Sequence, residues 1–196
     1  TGGDVFTDPT SSSLGAYGSG RVAGGGQDSN TKLLLNFDRW GGTDIEDSSN
    51  IGGDGHKKTA SGNAIIKASP FGDGKSAMFF DGTDDKLQAD NSDFIFGTAN
   101  LTMECWFYAQ NSQDSYSGLV GTYNDDSSNN GLDLTINQNS DGKFGFHVGN
   151  GSSNWVSSTQ SYELNRWYHV ALVRNGTEIA LFIDGKKDAT FTIGST

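Results

Sequence analysis

The run from Arg166 to Ile193, RWYHVALVRNGTEIALFIDGKKDATFTI, changes direction twice, and that constrains the fold more than any other stretch. Asn175-Gly176 and Asp184-Gly185 are dipeptides that accept the positive backbone angles of primed hairpin turns, so the run is expected to be three antiparallel strands. Along the first, Trp167, His169, Ala171 and Val173 point to one side and Tyr168, Val170 and Leu172 to the other. A strand apolar on both sides is expected to lie inside a sheet packed between layers. Leu101 to Ala109, LTMECWFYA, alternates in the same way. Leu101, Met103, Cys105 and Phe107 form its core face, with Thr102, Glu104, Trp106 and Tyr108 opposite.

Turn chemistry extends this all-β reading. Twenty-eight Gly against two Pro, with Asn, Asp, Ser and Thr clustered between short apolar runs, describes many strands joined by many turns. KLLLNF from Lys32, Ala64 to Lys67, Ser76 to Phe80, Lys86 to Ala89, SGLVGTY, GLDLTINQ, KFGFHVG and NWVSS are further expected strands. About a dozen strands within 196 residues imply two packed antiparallel sheets in one domain from residue 32 to 196. Residues Thr1 to Thr31, Gly- and Ser-rich with few apolar anchors, read as an arm or linker. The chain does not open on Met, and its first residue is read as following a processing point or a boundary.

Charge and cysteine narrow the partners. A net charge of −11 disfavours nucleic acid and anionic membranes, and leaves neutral glycans, cations and basic proteins. No apolar run reaches the roughly 18 residues of a membrane span. The single cysteine, Cys105, excludes an internal disulfide. Sequons at Asn100, Asn150 and Asn175 are expected from chance in so Asn-, Ser- and Thr-rich a chain.

The segments KSAMFFDGTDDKLQ, LTMECWFY and RWYHVALVRNGTEIALFIDGKK resemble, in order and spacing, laminin-G-like (LamG) domains of the concanavalin A-like jelly-roll superfamily. The resemblance runs from Lys32 to about Ile193. It is carried by Phe80-Asp81-Gly82, Glu104 with Trp106, Trp167 with His169-Val170-Ala171, and Asp184-Gly185. It implies a two-sheet jelly-roll sandwich. LLLNFD, DSSN and FGDGKSAMFFDG also look like the variants found in tailed-phage virion proteins and bacterial surface proteins. Such domains usually add a closing strand after the Asp-Gly hairpin, and this chain stops at Thr196. An added segment, the chain's own arm or a neighbour's, is expected along that edge.

Catalysis finds little support in the residues. Glycoside hydrolysis needs two carboxylates across the scissile bond, and the E-x-D-x-x-E strand of glucanases with this fold is absent. Glu104 is expected to be a structural acid and His169 a hydrogen-bonded sheet histidine. Cys105 reads as a small buried hydrophobe, and His56, His147 and His169 give no zinc spacing. Calcium is the better candidate. Asp47, in a D-S-S-N loop resembling one beside a structural calcium in LamG-like folds, is its first expected ligand, with Asp44, Asp84, Asp85, Asp125 and Asp126 as further loop carboxylates. Trp40, Tyr116, Tyr123 and Trp155 lie in or beside polar loops, where a ring can stack on a pyranose while Asn129, Asn130 or Asn154 reads hydroxyls.

Two functions follow. One is a non-catalytic structural and adhesive module on the outside of a particle, a phage virion, that binds its own copies as a homo-oligomer and host glycans through its loops. The other is a carbohydrate-binding module of a secreted or cell-surface bacterial protein.

Overall fold

A computed structural model of the chain describes residues 29–37, 45–49, 55–56, 58–70, 74–89, 92–122 and 130–194. These fall into two compact units, Thr1–Ser92 and Asp93–Thr196. Most of the expected arm, residues 1–28, lies outside the described residues.

In the first unit, β1 (Thr59–Ser61) pairs antiparallel with β4 (Lys86–Gln88), and β2 (Ile65–Ala68) with β3 (Ser76–Phe79). Ile66 and Ala64 are buried there. Residues 32–37, expected as a strand, form no ladder. Leu34 instead gives its backbone groups to the 47–48 segment: its carbonyl accepts from the Ser48 amide at 2.8 Å, and its N–H donates to the Asp47 side chain. The apolar run is real, but its hydrogen bonds close a loop.

The second unit is the two-sheet sandwich. One sheet has the order β12-β11-β10-β5, from Lys186–Thr192, Glu178–Ile183, Trp167–Asn175 and Leu101–Tyr108. The other has the order β6-β7-β8-β9, from Ser117–Gly121, Asn130–Ile136, Lys143–Asn150 and Ser153–Ser161. Their inner faces meet in one core, with Met103, Tyr168, Val170, Leu172, Leu181 and Ile183 from the first against Leu134, Ile136, Phe144, Phe146 and Val148 from the second. Alternation dictates this, because residues two apart share a face. Phe144 meets Tyr168 edge-on at 5.0 Å, and the buried Tyr168 hydroxyl accepts the Glu163 amide at 2.9 Å. Cys105 and Phe107, expected to be buried, are only half-buried where they pack against the margin of this core.

Both C-terminal hairpins form. Asp184 and Gly185 have φ of 49° and 76° between the paired Ile183 and Lys186, as a type I′ turn requires. Asp184 also accepts from the His169 amide and from Arg166, each at 3.0 Å. In the other hairpin Asn175 pairs with Glu178, so the loop is Gly176-Thr177 and not the expected Asn175-Gly176. Gly176 alone takes the positive φ, 61°.

Two irregularities join the sheets at one side. Between its pairs with Lys143 and Gly145, β9 carries a bulge, and β12 carries another opposite Leu181 and Phe182. The second turns Asp188 toward the first, where its carboxylate accepts the Thr159 amide at 2.6 Å, the Thr159 hydroxyl at 3.0 Å and the Gln160 amide at 3.3 Å.

Candidate functional site

Because Leu132, Leu134 and Ile136 point inward, Asp133 and Thr135 of β7 point outward, and the register puts His147 of β8 and Trp155 of β9 in line with Asp133. The Trp155 ring lies over His147 at 4.4 Å, and Tyr116, just before β6, meets its edge at 4.8 Å and 67°. Tyr116 and Trp155 are 45% and 43% exposed, whereas His147 is fully buried beneath them. Two of the four aromatics expected to bind a sugar thus converge into one platform. Trp40 and Tyr123 lie outside the described residues.

The platform is held with some strain. Tyr116 has φ of 60°, a left-handed conformation that costs a non-glycine residue about 1–3 kcal/mol. Its N–H donates to the Asn137 carbonyl at 3.1 Å and its hydroxyl to Asn139 Oδ1 at 2.5 Å. Polar groups surround the rings. His147 Nε2 is 2.9 Å from the Ser153 hydroxyl, and His147 Nδ1 is 3.4 Å from Asp133 Oδ2. Gln138, buried, donates to Thr135 Oγ1 at 2.8 Å, and Ser157 donates to Asp141 at 2.8 Å. Two glycines make the close packing possible. A Cβ on Gly145 would sit 2.6 Å from Gln138 Nε2, and one on Gly121 would overlap the Asp133 carboxylate.

Asn154, expected to read sugar hydroxyls, faces away from Trp155 because adjacent strand residues alternate sides. Its amide donates to the Val148 carbonyl at 3.2 Å and holds the β8–β9 hairpin. Asn129 and the side chain of Asn130 lie outside the described residues. The residues that sequence reasoning missed are Asp133, His147 and Ser153. His147 alternates with Phe144, Phe146 and Val148, so its outward direction was legible, but its partners are set by cross-strand register.

The outer face of the other sheet carries a second aromatic group. Trp106, 60% exposed, lies 5.3 Å from His169, and His169 Nε2 is 3.6 Å from the exposed Glu104 carboxylate. Behind it, burial first and then the Glu104 charge push the Cys105 thiol up to about 12.

In the first unit, Asp47, expected as a cation ligand, is buried among hydrogen-bond donors. Its buried Oδ1 accepts from the amides of Leu34 at 3.1 Å and Ser49 at 2.9 Å, and its Oδ2 from the His56 amide and ring Nδ1, both at 2.9 Å. A carboxylate has about four lone-pair positions, and these four donors occupy them. Burial alone would raise its pKa, but the three backbone N–H groups outweigh burial and hold it well below the usual carboxylate range. Asp84 and Asp85 do come together, and with Asp81: one oxygen from each lies within 4.8 Å of the others. Asp81 accepts the Thr83 amide at 2.8 Å, and Asp85 accepts the amides of Asp81 at 2.6 Å and of Asn63. Oxygen-only ligands of this kind suit calcium. Asp44, Asp125 and Asp126 lie outside the described residues.

A family model described as the concanavalin A-like lectin/glucanases superfamily matches residues 81–196. No curated protein matches the chain. Among solved structures, an S-layer domain-containing protein (residues 221–444) from Clostridium thermocellum is similar at 21% identity and a TM-score of 0.45, over 82% of this chain and 72% of that one.

Proposed function

Because the chain belongs to the concanavalin A-like lectin/glucanase superfamily, we propose that it is a non-catalytic glycan-binding module working at an exterior surface. One observation carries the reading: Tyr116 and Trp155 are brought edge to face at 4.8 Å on an outward sheet face, both well exposed, with hydroxyl and carboxylate groups beside them. Sugar sites pair an apolar ring with a few placed polar groups, and this one has both. The face with Trp106 offers one strongly exposed ring beside a histidine and a carboxylate, a poorer match. His147 supports a binding role over a catalytic one, since a base with no exposed surface cannot reach a scissile bond.

In this reading the module sits on the outside of a phage particle or a bacterial cell, in repeated copies that the Gly- and Ser-rich arm of residues 1–31 links to their neighbours. The charge of −11 makes a neutral glycan the partner. Binding of the wild-type chain to immobilised neutral oligosaccharides tests the sugar site. Trp155→Ala is expected to weaken binding at least about tenfold, equivalent to about 1.4 kcal/mol. A wild-type chain that retains no sugar, or a Trp155→Ala chain that binds equally well, refutes it. Native mass with and without residues 1–31 tests the assembly.

A further inference from the structure

On the platform just described, we infer that Ser153 is a specificity-determining hydrogen-bond acceptor for a hydroxyl of a neutral pyranose stacked on Trp155, its polarity set by His147 and Asp133. The inference rests on the glycan reading and adds to it the direction of one hydrogen bond.

Asp133 Oδ2, the His147 ring and Ser153 Oγ form a row, with 3.4 Å at Nδ1 and 2.9 Å at Nε2. Nδ1 is buried and makes no hydrogen bond, and the Asp133 carboxylate charge 3.4 Å away favours the tautomer that carries the proton there, which leaves Nε2 as an acceptor. The one hydroxyl proton of Ser153 then goes to Nε2, and the oxygen presents only lone pairs to a ligand. Ser153 is exposed. Its cross-strand neighbours Gly149 and Gly131 contribute no side chain, so among the described residues Ser153 supplies the only one in that row. It lies two residues before Trp155 on the same face of β9, about 6.6 Å along the strand, a spacing that one pyranose with an exocyclic hydroxyl spans.

The same row also resembles a serine nucleophile with its base and orienting acid. Burial decides against that role. The His147 side chain has no exposed surface and is roofed by Trp155, so it can orient the Ser153 hydroxyl but cannot hand a proton to a leaving group. His147 and Asp133 are therefore positioning residues.

The test uses the full chain and the best binder from a panel of neutral glucose, galactose, mannose and N-acetylglucosamine oligosaccharides. Ser153→Ala is expected to weaken binding about threefold to tenfold. A series of deoxy and fluoro analogues then reads the direction. At one position, both the deoxy and the fluoro sugar should bind wild type more weakly by that factor and Ser153→Ala with no further loss, because fluorine accepts but cannot donate. Nitrogen-15 NMR of the free protein should show the His147 proton on Nδ1. A fluoro analogue that binds as well as the parent, or a proton on Nε2, overturns the assigned direction. Binding that Trp155→Ala abolishes and Ser153→Ala leaves unchanged overturns the role of Ser153 while the glycan reading stands. Failure of every sugar to bind wild type overturns both.

Discussion

Replacing Asp47 by Asn should destabilise the first unit by about 3 kcal/mol at pH 7. The variant keeps Oδ1 for Leu34 and Ser49, but it turns an NH2 group toward the His56 amide and ring, which are themselves donors. Two bonds to a charged acceptor are lost, each worth about 1.5 kcal/mol or more when the donor left behind is buried. The sign with pH follows from the depressed carboxyl pKa. Its contribution is complete above the unfolded value of about 3.9 and is lost as pH falls through the folded value below it. Urea unfolding of wild type and Asp47→Asn from pH 7 to pH 3 should therefore show a wide gap that narrows below about pH 4. Faster amide exchange at Ser49 and His56 in the variant at pH 7 gives the local readout. Coincident urea midpoints at pH 7, or a gap unchanged down to pH 3, would refute the reasoning.

Leu172, fully buried in the sandwich, should cost about 2–5 kcal/mol as Leu172→Ala, and Leu172→Asp should leave no folded protein; a native-like circular dichroism spectrum for the Asp variant would contradict the packing. Cys105, with its thiol raised to about 12, should resist iodoacetamide at pH 8 in native protein and react in urea, and equal rates would contradict the raised thiol pKa. Calcium bound at Asp81, Asp84 and Asp85 should raise the melting temperature of wild type and not of Asp84→Asn with Asp85→Asn, whereas an identical melting curve in excess chelator removes the cation.

Much of the sandwich was legible because its strands alternate cleanly. LTMECWFY and WYHVALV each point one row at the core, with Met103, Tyr168, Val170 and Leu172 fully or nearly buried, and a period of two fixes that row from sequence alone. KLLLNF misled for a related reason: an apolar run announces burial but not its hydrogen-bond partner, and here the partner is a carboxylate 13 residues away. The site was half legible. Tyr116 and Trp155 stood out as rings in polar surroundings, yet their convergence depends on register across three strands. Asp133 gave no signal, since its neighbours Leu132 and Leu134 mark only the core face. The hydrogen bonds that Asp47 accepts were not legible, because acidic loops serve cations and buried amides with the same chemistry.

The Asp188 link has a consequence for life at high local concentration. An edge strand with free amides is a template on which a second chain can add as another strand, the first step of sheet polymerisation. The bulge in β9 leaves two such amides, and Asp188 fills both with a charged group that an incoming backbone would have to displace. Losing that one carboxylate would leave both amides free to pair with an added strand, without touching the core.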